Sequence, residues 1–388
     1  MRLNWIIPLC LALFMLSAAC ADTGTPPEPT AAATTAAASE PTEAPTVAPV
    51  AEAVTAVTLD PEAARATLSA LLLESLTVSV PVTSGVGIDG AVAFPLDTTD
   101  GTVLWLAHTT GIRNFEPEQD HLMAIYHSVG DSWHEVARAE FTFNEDPDTP
   151  SVSPDYLGEG GITQVQVEPT HIWLAVEGGV GAHSGVFGLF SFDGSALTQY
   201  LGGFSSSPGV GQVVELSGDD INEVLVDNTD YYVFCYACGV RVPAYTIWYW
   251  DGTTMVPVAR QPLSDNAPAE VRSFNDSLLM LANAGLWKDA LALLDQAANF
   301  SYTEPAFQWN IIDVRVNATA RRADVSAESA YPLLSQVFFG DYDAAVEIMR
   351  TVGAEGLFHP ETALIVGTAA EGWQAELADR LTANAGAV

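Results

Sequence analysis

Residues 247–259, IWYWDGTTMVPVA, read as an aromatic strand, a tight polar turn at Asp251-Gly252 and a second strand. The same order occurs twice upstream, in AIYHSVGDSWHEVA at residues 124–137 and LFSFDGSALTQYL at residues 189–201. Asp-Gly suits a two-residue hairpin turn, because glycine takes positive φ with no Cβ to clash. Two of the units open on a matching strand, VLWLAHTTG around Trp105 and HIWLAVEGG around Trp173, and EVLVDNTD holds that place in the third. The intervening runs alternate and are rich in Val, Ile, Phe, Tyr and Trp, broken by Gly, Asp, Asn and Pro. Residues 77–258 therefore read as antiparallel β-repeats with a period of about 60 residues, the size of a propeller blade. Three such units are too few to close a propeller, which leaves an open fragment or a β-sandwich.

Both flanks are helical in pattern. Upstream, Asp60-Pro61-Glu62 opens a helix through about Ser75, with Asp60 as N-cap and Pro61 at the first helical position. Its apolar residues Ala63, Leu68, Leu71, Leu72 and Leu76 fall largely on one side. Downstream of Pro268 the period changes from two to nearly four. AEVRSFNDSLLMLANAG and LWKDALALLDQAANF predict two helices broken at Gly285, and more are expected at residues 306–322, 326–339, 361–370 and 372–383. A stack of about seven helices buries a continuous core in the manner of an α-solenoid. The expected fold class is multidomain, β then α: a β-repeat domain with a short leading helix at residues 57–265, and an α-solenoid-like domain at residues 266–388.

Residues 1–20, MRLNWIIPLCLALFMLSAAC, have a basic start at Arg2, an apolar run from Trp5 to Leu16 and small residues before Cys20, the pattern of an export signal. The run is too short for a stable membrane span. Residues 21–56 are Ala, Thr, Pro and Glu with no aromatic residue and no positive charge, a composition that predicts a disordered tether. The stretch LSAAC resembles the lipobox of bacterial lipoproteins. That resemblance implies lipidation of Cys20 and anchorage on the extracellular face of the bacterial cell membrane. Ser17 stands where the family prefers Leu, so an ordinary secretory cut near Ala19 is the alternative.

Charge narrows the partners. The chain holds 49 acidic against 13 basic residues, for a net charge of -36, and such a surface repels phosphate backbones. Nucleic acid is thereby excluded as a specific partner, and the acidity itself is read as solubility outside the cell.

Cys235-Tyr236-Ala237-Cys238 has strands on either side and lacks the strand-to-helix setting of a thioredoxin motif. Zinc lacks ligands too, since Cys10 leaves with the signal and Cys20 is the candidate anchor. In an oxidising compartment the expectation is a local Cys235–Cys238 disulfide. GVGIDG at Gly85, Gly87 and Gly90 matches a dinucleotide fingerprint, yet AVAFPL follows where a helix should start. GGVGAHSG places His183 beside Ser184 without the Gly-x-Ser-x-Gly of a nucleophile elbow. His127 and His134 fall in the two strands of one hairpin with no third ligand at regular spacing.

VVELSGDDINEVLVDNTD, residues 213–230, resembles the FG-GAP or VCBS-type repeat, whose acidic loop binds calcium in extracellular propellers. Glu215, Ser217, Asp219 and Glu223 match its oxygen-bearing positions, while Asp220 replaces the usual Gly and Asn222 the Pro. These replacements favour a loop bonded internally over retained calcium, so no cofactor is expected and Glu215, Asp219 and Glu223 are weak metal candidates. GLWKDALALLDQA and GDYDAAVEIMRTV share Gly285, Trp287, Ala290 and Leu294 with Gly340, Tyr342, Ala345 and Met349. This pattern resembles the second helix of a tetratricopeptide repeat, which implies a protein partner for the helical domain. The expectation is a non-catalytic, surface-anchored binding or scaffold lipoprotein of the cell envelope. The alternatives are a secreted envelope hydrolase acting on glycan and a calcium-dependent adhesion module.

Overall fold

The computed structural model describes residues 60–76, 87–115, 118–130, 132–144, 151–207, 209–231, 233, 240–326 and 332–351. All of them belong to one unit, Val57–Val388. The signal expected at residues 1–20, the tether expected at residues 21–56 and the helices expected at 361–370 and 372–383 lie outside the described residues.

The strand pairings divide into three antiparallel four-stranded meanders. The first joins β1 (Ile88–Leu96), β2 (Leu104–Ile112), β5 (Leu122–Val129) and β6 (Ser132–Glu140). β3 (Asn114–Phe115) and β4 (Glu118–Gln119) make a small hairpin between β2 and β5. The second joins β8 (Ile162–Val165), β9 (Ile172–Val180), β10 (Ser184–Phe192) and β11 (Leu197–Ser205). The third joins β12 (Gly211–Val214), β13 (Glu223–Asp227), β14 (Tyr245–Trp250) and β15 (Met255–Pro257). The short strand β7 (Tyr156–Leu157) pairs with both β2 and β9 and so links the first two meanders into one curled sheet, whose ends β6 and β11 meet.

Alternation along each strand sends neighbouring side chains to opposite faces. Leu104 and Leu106 of β2 meet Leu174 and Val176 of β9 in one core, while Trp173 and Ala175 of β9 meet Val224 and Val226 of β13 in the next. Trp105 and Ala107 face outward from the first sheet and are covered by α1 (Pro61–Glu74). Asp60 caps that helix by accepting from the Glu62 N–H at 3.1 Å. Its buried stripe is Ala64, Leu68 and Leu72, whereas Ala63 and Leu71 are exposed. The expected face is therefore corrected by one position, to a straight i, i+4, i+8 ridge against the sheet.

The Asp-Gly turns also differ from expectation. Phe192 pairs with Leu197 and Trp250 with Met255, so each turn holds four residues. Asp193 Oδ1 accepts from the Ser195 and Ala196 N–H groups, and Asp251 Oδ1 from Thr253 and Thr254. The aspartate thus opens the turn as an Asx-type cap, with the positive φ at Gly194 and Gly252. Only two residues separate the paired Val129 and Ser132 of the β5–β6 hairpin.

Helices follow: α2 (Ala269–Asn283), α3 (Trp287–Leu294), α4 (Pro305–Ser326), α5 (Pro332–Phe339) and α6 (Tyr342–Thr351). α4 runs through Ser326 and α5 begins at Pro332, which moves the helix start expected at residue 326. One side of α4 places Phe307, Ile311, Val314 and Ala318 in the helical core. The other buries Asn310, Asp313, Asn317, Arg321 and Asp324. Asn317 accepts from the Tyr245 N–H at 2.9 Å and donates to the Tyr245 carbonyl at 3.1 Å. Asn310 does the same for Gln261, at 3.1 and 2.7 Å. Arg260 reaches Asp313 at 2.8 Å, Arg241 reaches Asp324 at 2.7 Å, and Tyr249 stacks on Trp309 at 4.7 Å. These contacts span the boundary expected at residues 265–266.

Asn317→Ala strands the N–H and C=O of Tyr245, so chemical denaturation should show a loss of about 1–3 kcal/mol. Thr319→Ala, one turn position away and exposed, should change stability by no more than about 0.5 kcal/mol.

Candidate functional site

The turn ends of the first two meanders leave a cleft of roughly 690 Å3. Leu104, Val136, Val165, Ile172 and Phe192 supply its apolar lining, and Asp97, Asp100, Glu168, Asp193, His127 and His171 its charged or titratable one. Gln164 bridges the two meanders by accepting from the Asp97 N–H at 2.8 Å and donating to the Asp97 carbonyl at 2.9 Å. His127 pairs across β5–β6 with His134, which is exposed.

Glu168 is the best-connected group in the cleft. It lies in the turn between β8 and β9 with its side chain only 7 % exposed. Its carboxylate accepts from the Thr170 N–H and hydroxyl, the His171 N–H and Nδ1, and the Trp173 Nε1 at 3.0 Å. The His171 contact is 2.5 Å, and it fixes Nδ1 as the protonated nitrogen, as a carboxylate partner does. Burial pushes the Glu168 carboxyl up, but the hydrogen bonds from Thr170, His171 and Trp173 outweigh it and bring it down to about 2. Backbone N–H groups of Ala196 and Ser195, with the Ser195 hydroxyl, hold Asp193 at about 2 as well. The Thr102 N–H and hydroxyl lower Asp100. The cleft therefore presents carboxylates that are ionised at neutral pH and already hydrogen-bonded, which suits recognition better than proton donation. Trp173 continues the connection inward, packing edge-on against Trp250 at 5.1 Å and beside Tyr200 at 5.4 Å.

The acidic loop lies elsewhere, between β12 and β13, closed by the Val214–Glu223 pair. The structure brings the three sequence candidates together: carboxylate oxygens of Glu215, Asp219 and Glu223 lie within 4.8 Å of one another. Asp220, which stands where the family has Gly, keeps a positive φ of 67°, a conformation Asp tolerates better than most residues. Glu215 Oε1 accepts from the Gly218 N–H and Glu223 Oε2 from the Leu216 N–H. Burial raises the Glu223 carboxyl, and the charges of Glu215 and Asp219 add to it. The donor set is all oxygen, of the kind calcium takes, but three carboxylates fall short of its about six to eight ligands.

The two helical hairpins turn in the same way. Leu286 N–H bonds to the Leu281 carbonyl and Asp341 N–H to that of Gln336, around Gly285 and Gly340 at φ 75° and 79°. A Cβ on Gly340 would stand 2.7 Å from the Gly285 carbonyl oxygen, so the two turns pack directly on each other. Lys288 links them further through Asp341 at 2.9 Å. Trp287, Ala290, Leu294 and Ala345 are buried, and Tyr342, the counterpart of Trp287, is half-buried.

Cys20, Cys235, Cys238 and Gly85 lie outside the described residues. His183 is exposed in the β9–β10 turn, at the opposite end of those strands from the β8–β9 and β10–β11 turns that line the cleft. Gly87 and Gly90 flank the start of β1, and a strand follows them. Glu168 and Gln164 were missed by sequence reasoning; the spacing Glu168-x-Thr170-His171 is the signal that marks a carboxylate over its own following N–H groups. The sequence matches no protein-family model, and no curated protein is significantly similar to it.

Glu168→Gln should lower stability by about 2 kcal/mol at neutral pH, because charge-assisted bonds to buried donors are weakened. The depressed carboxyl contributes fully above its ordinary value of 4.5 and loses that contribution as pH falls toward about 2. Denaturation midpoints of the two proteins should therefore converge on acidification through that window.

Proposed function

We propose that this chain is a non-catalytic, surface-anchored binding lipoprotein of the bacterial envelope. Cys20 would carry the lipid, residues 21–56 would hold the body away from the membrane, and residues 57–388 would recognise a ligand or partner. The observation that carries the recognition reading is the cleft, whose carboxylates are held ionised by turn hydrogen bonds. A glycan hydrolase needs a carboxylic acid still protonated near its working pH. The carboxyls raised by burial, Glu177, Glu223 and Asp313, sit on β9, β13 and α4, none of them lining the cleft.

Two finer structural readings belong with this proposal. The three meanders follow the order of propeller blades in an open array, supported by their face-to-face cores. The matched turns at Gly285 and Gly340 support a tetratricopeptide-like pair of helical hairpins that would contact a protein partner. Among the described residues no helix is long and apolar enough to cross a membrane; the lipid anchor rests on the LSAAC stretch that ends at Cys20.

Crosslinking of the full-length tagged protein in intact cells tests recognition. The same partner or glycan fraction should be recovered repeatedly, and recovery should fall when Thr99→Trp fills the cleft. Release of soluble sugars from cell-wall glycan by the purified protein, abolished in Glu168→Gln, would instead establish the hydrolase. For the anchor, Cys20→Ser should abolish labelling by radioactive palmitate and move the protein from the membrane fraction to the medium.

The alternative of a calcium-dependent adhesion module would use Glu215, Asp219 and Glu223. Calcium at about 100 times its dissociation constant should then stabilise the folded state by roughly 2.7 kcal/mol. A melting temperature unchanged between millimolar calcium and chelator removes that reading.

A further inference from the structure

His108 on β2 and His121 just before β5 are both 0 % exposed. His108 Nδ1 lies 3.0 Å from the Thr109 carbonyl, and His121 Nδ1 lies 3.0 Å from the Thr109 hydroxyl. The same hydroxyl accepts from the Leu122 N–H at 3.0 Å, and the His121 carbonyl accepts from Phe141 at 2.8 Å. Both Nε2 atoms are buried without a hydrogen-bond partner. A proton added to either ring would create a charge in the core, favoured only by the backbone of Thr109 and Glu159 at His108 and of Gly111 at His121, which burial outweighs.

The surroundings offer little compensation. His108 faces the Phe94 ring of β1 at 6.4 Å and the backbone of Thr109 and Glu159. His121 faces the Gly111 backbone, the second imidazole, Asp120 and Arg113. Asp120 is engaged by Arg113 at 3.1 Å, and Arg113 also holds Asp155 at 3.0 Å and approaches Glu118 at 4.0 Å. Asp89 of β1 stands beside Gly111. Charging both rings would therefore set two imidazolium groups near a guanidinium, where Asp120, the carboxylate that acts on His121, is already engaged by Arg113.

We propose that His108 and His121 form an acid-sensitive latch, which fastens residues 118–122 onto β2 while both rings are neutral and releases them on protonation. Burial supports this by lowering both groups, His121 to about 4, with His108 and Arg113 adding to the effect there. The sign follows directly. A depressed imidazole favours the closed form above its ordinary value of 6.5 and loses that advantage as pH falls toward about 4. For His121 alone, the open fraction should rise roughly thirtyfold between pH 7.5 and pH 5.

Peptide-level hydrogen exchange on the full-length protein, corrected for the intrinsic pH dependence of exchange, reads this out. Protection across residues 118–122 should fall roughly thirtyfold between those pH values, with β9 and β10 unchanged. That pH dependence should shrink in His121→Asn and be lost in His108→Asn with His121→Asn. An equal drop in the variants, or none in wild type, overturns the latch. Should the variants not fold, ring resonances of the wild type decide. Rings that stay neutral until protection is lost support the latch, and rings that titrate near 6.5 with protection intact overturn it.

Discussion

Three four-stranded meanders, two of them joined in one curled sheet, have two outer faces, and neither can be left to water when its strands carry large apolar side chains. Here α1 covers the outer face of the first sheet and α4 lies against β14 of the third. The inner strands can then be buried on both faces, as the continuous burial of β10 shows. Nearly everything else in the molecule follows from these two caps.

They work by different chemistry. α1 presents an apolar ridge to Trp105 and Ala107, so its attachment is hydrophobic burial. α4 must serve two surfaces at once, a helical core on one side and, on the other, backbone groups of β14 and of the segment after β15. Asn310 and Asn317 meet the second demand because one carboxamide can both donate and accept, which matches a backbone N–H and C=O pair. Arg321 lies over the Trp287 ring at 4.2 Å and joins this polar layer to the first helical hairpin. The helical region is therefore fastened to the third sheet by specific polar bonds.

The cleft and the acidic loop both arise where hairpin turns crowd together. Crowded turns concentrate acidic side chains, since Asp and Glu satisfy the N–H groups of their own turns. That explains why a strongly acidic chain keeps Asp100, Glu168 and Asp193 ionised at modest electrostatic expense: their negative charge is used to hold backbone in place. It also explains why the same residues are poor proton donors. The apolar interior holds groups of the opposite kind, His108 and His121, whose charged forms burial disfavours.

The strand, turn and strand runs were legible in the sequence because alternation and Asp-Gly are local signals, and they fall in the hairpins β5–β6, β10–β11 and β14–β15. The Asp60 cap, the Gly285 and Gly340 breaks and the order of β before α were legible for the same reason. Convergence of Glu215, Asp219 and Glu223 could be anticipated because all three lie in one short loop. Tertiary structure alone decided the rest. The turn length at Asp193 depends on cross-strand register, the face of α1 on the sheet beneath it, and the burial of α4's Asn and Asp residues on strands far away in sequence. A polar residue on a helix reads as solvent-facing until its partner is known, and partners 72 and 49 residues away for Asn317 and Asn310 leave no periodic trace.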